Sequence, residues 1–144
     1  MKFLIINGVN LNMTGMRETG VYGSQTLEQI NAEISAYAQA NGDSVDFYQS
    51  NIEGEICTKI HSCFGADYDG IVLNAGAYTH YSYAIHDAIR CISTPVVEVH
   101  MSNVHAREEF RHNSVISPVC IGVICGFGKN SYSLALKALA DLLC

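Results

Sequence analysis

Short apolar runs alternate along the chain with segments whose apolar residues recur at helical spacing. The runs at 2–7, 69–74 and 95–101 are almost continuously apolar, which is typical of strands buried on both faces. The run at 44–49 alternates apolar and polar residues and predicts a strand with one less buried face. A fifth strand is predicted at 119–125.

Helices are predicted between and after these strands, because apolar residues there lie three or four positions apart. The longer predicted helices span 26–41, 53–64, 79–92 and 130–143. The first has an N-terminal signal, since Gln29 follows Thr26 by three residues and the two can form a capping box. A short helix is expected near 105–110.

This order of strands and helices predicts an α/β domain with a parallel sheet covered on both faces. Five strands with short connections fit the flavodoxin-like, doubly wound order 2-1-3-4-5. The pattern shows no linker or repeat, so residues 1–144 are predicted to form a single domain. With 144 residues and 49% hydrophobic composition, the chain can form a core without a metal or disulfide bonds.

Charge and the N-terminal sequence limit the classes of partner. Fourteen acidic residues against eight basic ones give a formal net charge of −6, which argues against a nucleic-acid partner. The apolar run after Lys2 is too short for a signal peptide or a membrane span. We therefore expect a cytoplasmic protein with no membrane partner.

The six cysteines fit a reducing compartment. No C-x-x-C motif occurs, and most of the cysteines lie within apolar segments, where a free thiol packs as a small hydrophobe. They are Cys57, Cys63, Cys91, Cys120, Cys125 and Cys144. Neither a disulfide framework nor a zinc site is expected.

Polar side chains collect where neighbouring strands end, at the edge where α/β sheets bind ligands. Asn7, Asn10 and Asn12 follow the first strand, and Asn74 follows the third. In the fourth strand, Glu98 and His100 share a face because they are two residues apart, so the carboxylate can orient and charge the imidazole. A purely structural pair would have the same spacing, and the pattern does not choose between the two.

The segment 8–25 joins two elements without any periodicity of its own. A connection of about 18 residues in a compact domain is usually a functional lid or a disordered linker, and we favour a lid. It contains Arg17 and Tyr22. Its hinge candidates are Gly15, Gly20 and Gly23.

Further candidates have equally ordinary explanations. His80 and Asp87 are seven residues apart on one predicted helix face, which could simply be solvated. The stretch 107–111 is typical of a short solvated helix, although Arg111 could bind a carboxylate. No complete P-loop, G-x-G-x-x-G, G-x-S-x-G or H-E-x-x-H motif occurs. The residues alone thus indicate a flavodoxin-like domain that binds a small polar ligand.

Four blocks of sequence resemble the type II 3-dehydroquinate dehydratases, also called type II dehydroquinases, over essentially the whole chain. The first runs from Ile6 to Asn12 and continues through Gly15–Glu18 and Tyr22-Gly23. The others are Gln49–Glu55, Asn74–His80 and Val97–Arg111. Long blocks in the right order and spacing make this resemblance highly specific.

The resemblance implies a reaction and roles for five residues. The family catalyses trans-dehydration of 3-dehydroquinate to 3-dehydroshikimate, without metal or cofactor, in the shikimate pathway of aromatic amino acid biosynthesis or in quinate metabolism. Tyr22 would remove the C2 proton to give an enolate, and Arg17 would favour its ionised form. His100, oriented by Glu98, would act as general acid on the departing hydroxyl. Asn12 would help to hold a water molecule against the enolate oxygen.

The resemblance also implies how substrate is bound and how subunits assemble. The implied substrate-binding residues are Asn74, His80, Ser102, Arg111 and, through its backbone, Met101. Asp87 would reach the site of a neighbouring subunit. Family members assemble as dodecamers, tetramers of trimers, so a homo-oligomer is expected.

The chain departs from the family pattern at the lid and its root. Val9 and Thr19 stand where the family commonly has proline, and Ala75-Gly76-Ala77 stands where it commonly has Pro-Ala-Ala. Losing these prolines predicts a looser lid, but removes no group with an implied chemical role.

Two other classes of function compete with a dehydratase. A non-catalytic flavodoxin-like binding module is one, but it would be expected to have lost Tyr22, Arg17 or His100. A flavin-binding electron carrier is the other, and it would need a hydroxyl-rich phosphate loop where this chain has amides.

Overall fold

The computed structural model describes all residues 1–144 and contains one parallel sheet of five strands. The strands are β1 (Lys2–Asn7), β2 (Ser44–Gln49), β3 (Gly70–Asn74), β4 (Val96–His100) and β5 (Gly122–Cys125). Their order in the sheet is β2-β1-β3-β4-β5, and all neighbouring pairs are parallel. The predicted doubly wound α/β fold and its strand order are confirmed.

Helices cover both faces of the sheet. They are α1 (Thr19–Tyr22), α2 (Leu27–Ala40), α3 (Glu53–His61), α4 (Tyr83–Arg90) and α5 (Asn130–Leu143). The capping box that precedes α2 is confirmed, because Thr26 and Gln29 each accept the other's backbone N–H through their side chains. No helix combines the length and the apolar character needed to span a membrane.

The strand β1 shows why the sheet is buried on both faces. Phe3 and Ile5 point into a core formed with α2 and α5, whereas Leu4 and Ile6 point into a second core formed with α3 and α4. All four side chains are fully buried. Successive residues of a strand face opposite sides, so an unbroken apolar run supplies both cores at once.

The predicted helix 79–92 is wrong in one respect, because the structure divides this region into two elements. A 3-10 helix spans Gly76–His80, and α4 begins only after Ser82, whose side chain accepts the backbone N–H of Ile85 at 3.0 Å. This cap starts a new helix. His80 and Asp87 therefore do not share one helix face.

Two further boundaries differ from the prediction. The short helix expected near 105–110 is replaced by two 3-10 turns, Val104–Ala106 and Glu109–His112. The last strand begins at Gly122, because the preceding segment Ser117–Val119 forms a 3-10 turn around Pro118. All six cysteines are free thiols.

Candidate active site

The loops after β1 and β3 meet through two glycines. A Cβ atom at Gly8 would lie only 2.4 Å from the backbone oxygen of Ala75. Gly76 has a φ of +62°, and a Cβ atom there would lie 2.7 Å from the oxygen of Val9. Backbones this close leave no room for side chains, so the two loops form one continuous wall beside the carboxyl ends of the strands.

A cleft lies against this wall. Most of the residues that the sequence singled out line it. They are Arg17, Tyr22, Asn74, His80, His100, Met101, Ser102 and Arg111. Residues from segment 8–25, which follows β1, and from the ends of β3 and β4 with the loops after them thus converge, as expected for a ligand site of this fold.

His100 is held by a buried carboxylate at the end of β4. Its Nε2 lies 2.7 Å from Oε1 of the fully buried Glu98, which also accepts hydrogen bonds from the hydroxyls of Ser114, at 2.9 Å, and Ser117. Burial alone would raise the pKa of Glu98, but hydrogen bonds from His100 and the two serines outweigh it and keep the pKa below its usual value. An ionised carboxylate only accepts, so Nε2 carries the proton and Nδ1 remains free.

Tyr22, at the end of α1, lies between two guanidinium groups. Nη1 of Arg107 donates a hydrogen bond of 2.5 Å to its hydroxyl, and the Arg17 guanidinium lies 5.1 Å from its ring centroid. Glu18 pairs with both arginines. The Arg107 side chain is only 10% exposed, so its charge acts on the phenol with little screening by solvent.

His80 is fixed by a backbone carbonyl. Its Nδ1 lies 2.8 Å from the oxygen of Asn113, which can only accept, so Nδ1 carries the proton and Nε2 is an acceptor. Burial lowers the pKa of His80 despite this hydrogen bond. The ring stacks at 6.3 Å on that of His100, and it is neutral at neutral pH.

Two side chains beside the histidines keep unused donors. Ser102 accepts a 3.3 Å hydrogen bond from Arg107, which leaves its hydroxyl hydrogen free. Arg111 uses only Nε, in an ion pair with Glu108, and both of its Nη groups have no hydrogen-bond partner. A hydroxyl donor and a guanidinium fork suit a ligand with a carboxylate.

Asn74 is anchored by a buried chain of hydrogen bonds. Its Nδ2 donates to the hydroxyl of Tyr132 at 2.9 Å, and that hydroxyl donates to Oδ1 of Asn7 at 2.5 Å. Burial raises the pKa of the fully buried Tyr132, so it keeps its proton and donates it. Asn74 keeps a second Nδ2 hydrogen for a ligand.

Besides Glu98, which lies behind the cleft lining and binds His100, two predicted residues do not line the cleft. The 3-10 turn Leu11–Met13 buries Leu11 and leaves Asn12 exposed, whereas Asn10 lines the cleft from a left-handed backbone conformation with a φ of 66°. Asp87 has a side chain that is 76% exposed and pairs with His86 at 2.9 Å. Within one chain, neither Asn12 nor Asp87 reaches the other site residues.

Sequence reasoning missed several residues that the structure brings to the site. Arg107 had been assigned to a solvated helix, although it lies within the sequence block Val97–Arg111 that carries the family resemblance. Asn10 is among the polar residues predicted after β1, but the resemblance gave the water-holding role to Asn12. Ser114 and Ser117 follow that block, and nothing in their local pattern marks them.

The fold and the cleft define a doubly wound α/β enzyme whose site is built at the carboxyl ends of its strands. The family model for dehydroquinase class II matches residues 1–140. The chain is 56% identical over 142 residues to a 3-dehydroquinate dehydratase of Caldicellulosiruptor bescii, covering 99% of this chain and 98% of that one. It is 54% identical over 139 residues to one from Clostridium beijerinckii, with coverage of 96% and 95%.

Solved structures agree. A type II dehydroquinase from Butyrivibrio crossotus superposes with a TM-score of 0.95 at 49% identity, covering 97% of each chain. A 3-dehydroquinate dehydratase-like protein from Bifidobacterium longum superposes with a TM-score of 0.75 at 32% identity, covering 100% of this chain and 98% of that one. The chain belongs to the class II dehydroquinase family and is a type II dehydratase enzyme. The family resemblance seen in the sequence is confirmed.

Proposed function

We propose that this protein dehydrates 3-dehydroquinate to 3-dehydroshikimate by trans elimination through an enolate. The observation that carries the proposal is the pairing of two groups in one cleft. The Tyr22 hydroxyl is bound by a cation, Arg107, and the His100 ring is bound by an anion, Glu98. This is the charge pattern that a tyrosine base and a histidine acid need.

In the first step, the Tyr22 phenolate removes the proton from C2, and the electron pair of the C–H bond moves to the ketone oxygen to form the enolate. Tyrosine side chains are mostly protonated at neutral pH. Two guanidinium groups, those of Arg17 and Arg107, flank this ring and place positive charge beside the phenolate that the step uses.

In the second step, protonated His100 donates a proton to the C1 hydroxyl, which leaves as water. The electrons of the enolate then form the C1–C2 double bond and restore the ketone. Because Nε2 is committed to Glu98, the proton comes from Nδ1. The buried, ionised carboxylate of Glu98 lies against the ring and orients it for this transfer.

We assign to the side-chain amide of Asn10 the role of holding a water molecule against the enolate oxygen. The resemblance had suggested Asn12 for this role, but Asn10 is the asparagine that lines the cleft. Its backbone N–H is bound to Asn51 at 2.9 Å, while its side-chain amide makes no hydrogen bond within the chain. That amide is free to bind water.

Substrate recognition uses the unfilled donors and acceptors of the cleft. The Arg111 fork binds the carboxylate, while Ser102, His80 Nε2 and Asn74 bind hydroxyls, together with the backbone of Met101. Asp87 is exposed and is assigned to the site of a neighbouring subunit in a dodecamer, a tetramer of trimers. The reaction belongs to the shikimate pathway or to quinate metabolism.

The test is to add 3-dehydroquinate to chelator-treated enzyme and follow the absorbance of the conjugated enone in the product. We expect absorbance to rise in proportion to enzyme concentration. A folded and assembled protein that gives no rise would contradict the proposal and favour a non-catalytic binding module.

A further inference from the structure

We infer that Ser114 and Ser117 are positioning residues for His100, which they control through Glu98 by fixing the ring nitrogen that carries the proton. This inference rests on the proposed role of His100 as general acid. Neither serine lines the main cleft, and both donate a hydrogen bond to the carboxylate of Glu98.

The hydrogen-bonding capacity of Ser114 is completely used. Its hydroxyl donates to Oε1 of Glu98 at 2.9 Å and accepts the backbone N–H groups of Ile116, at 3.3 Å, and Ser117, at 3.0 Å. A hydroxyl has one hydrogen and two lone pairs. Its hydrogen therefore cannot turn away from the carboxylate without breaking the local turn.

Glu98 receives three donors at a position with no solvent exposure. Oε1 accepts from His100 and Ser114, and Oε2 accepts from Ser117. A protonated Glu98 would have to direct a hydrogen at one of these groups. With both hydroxyls donating, the carboxylate stays an acceptor, so His100 must present Nε2–H to it and Nδ1 to the substrate.

The segment that carries the serines is fixed to the core and also holds the second histidine. Ile116 lies between the two serines and is fully buried. The carbonyl of Asn113 accepts from His80 Nδ1 at 2.8 Å, and the N–H of Val115 donates to Thr79 at 2.9 Å. One segment, residues 113–117, thus sets the proton positions of both histidines.

Few ionisable groups compete for the charge of Glu98. His100, His80 and Cys120 are coupled to it electrostatically, and His105, Arg111 and His112 line the same pocket. Burial and the nearby Glu98 carboxylate raise the pKa of Cys120 to about 12, so it remains a neutral thiol in the working range of pH. The serine variants leave these ionisable neighbours of Glu98 unchanged.

The test compares Ser117→Ala, Ser117→Thr and the double variant Ser114→Ala/Ser117→Ala, with Ser62→Ala as control. Ser62 is exposed and donates only to the backbone oxygen of Lys59. We expect Ser117→Ala to lower kcat roughly 10-fold, because the acid loses its fixed geometry, with KM little changed. Ser117→Thr keeps the hydroxyl and should restore kcat.

The second readout is the ¹⁵N NMR spectrum of the histidines in the resting enzyme, which requires no turnover. In spectra recorded at a pH where His100 is neutral, the parent protein should show its ring as the single Nε2–H tautomer, and the double variant should show a mixture. If the double variant does not fold, Ser117→Ala and Ser117→Thr decide the matter, because they leave the Ser114 turn intact. An active parent enzyme whose Ser117→Ala variant keeps its kcat and its His100 tautomer would overturn the inference. An inactive parent enzyme would instead contradict the proposed function.

Discussion

The hydroxyl of Tyr22 lies 2.5 Å from Nη1 of Arg107, a residue 85 positions further along the chain. This hydrogen bond joins segment 8–25 to the loop after β4, and both residues line the cleft. Glu18, at the start of α1, adds a second link to the same arginine at 3.4 Å. The contact that places a cation beside the phenol therefore also links segment 8–25 to the loop after β4.

Replacing Arg107 should therefore impair catalysis more than binding. Removing one charged donor from a buried site costs roughly 100-fold in kcat, and we expect Arg107→Ala to behave in this way in steady-state assays. The kcat of Arg107→Lys should lie between those of the parent enzyme and Arg107→Ala, because lysine keeps the charge but not the planar guanidinium group. Arg90→Ala, on the exposed end of α4, is the control. An Arg107→Ala enzyme with the kcat of the parent would show that Arg107 has no role in catalysis.

His80 should make stability depend on pH in a defined direction. Burial lowers its pKa in the folded state below the usual 6.5. As pH falls below about 6.5, His80 becomes protonated in the unfolded chain while it is still neutral in the folded protein. The free energy of unfolding therefore decreases with falling pH until His80 is protonated in the folded protein as well. NMR titration should show His80 protonating below 6.5. His80→Gln should flatten this part of the stability profile, and a His80 that titrates above 6.5 would refute the assignment.

The close approach of the two loop backbones predicts a steric effect at Gly8. A methyl group there would meet the backbone of Ala75 at 2.4 Å, so Gly8→Ala must push the loops apart. We expect a loss of about 1–3 kcal/mol in the free energy of unfolding, together with weaker substrate binding. Gly54→Ala is the matched control, because it lies in α3 with nothing within 4 Å of the added atom. Equal stability of the two variants would show that the loops yield easily.

Tyr132→Phe tests the buried support of Asn74. Removing the hydroxyl leaves Asn7 and Asn74 each without a buried partner, which should cost about 1–3 kcal/mol of stability. Because Asn74 also lines the cleft, KM should rise more than kcat falls. Chemical denaturation and steady-state kinetics measure the two effects. A variant as stable as the parent protein would mean that water replaces the hydroxyl.

The elements that the sequence predicts well are those fixed by local pattern. The apolar run of β1 predicts burial on both faces because alternate residues must point to opposite sides. The Glu98–His100 contact was foreseeable for the same reason, since two residues of a strand share a face. The start of β5 and the break before α4 were not, because Pro118 and the cap at Ser82 decide them locally against the apolar periodicity.

The missed site residues depend on tertiary placement. No local pattern relates Arg107 to Tyr22 across 85 residues. Asn10 and Asn12 have the same side chain two positions apart, and only the left-handed backbone at Asn10 with the 3-10 turn after it decides which one enters the cleft. The sequence therefore predicts an asparagine side chain in the site, but the backbone conformation of residues 10–13 determines which asparagine lines the cleft.

The most direct test of the account is the rate of enone formation from 3-dehydroquinate by Tyr22→Phe. The substitution keeps the ring between the two guanidinium groups and removes only the oxygen that would take the proton. With circular dichroism and oligomeric state matching the parent enzyme, we predict a fall in kcat of roughly 10²–10⁴-fold. A folded, assembled Tyr22→Phe enzyme that forms product at the parental rate would contradict the central claim that Tyr22 is the base.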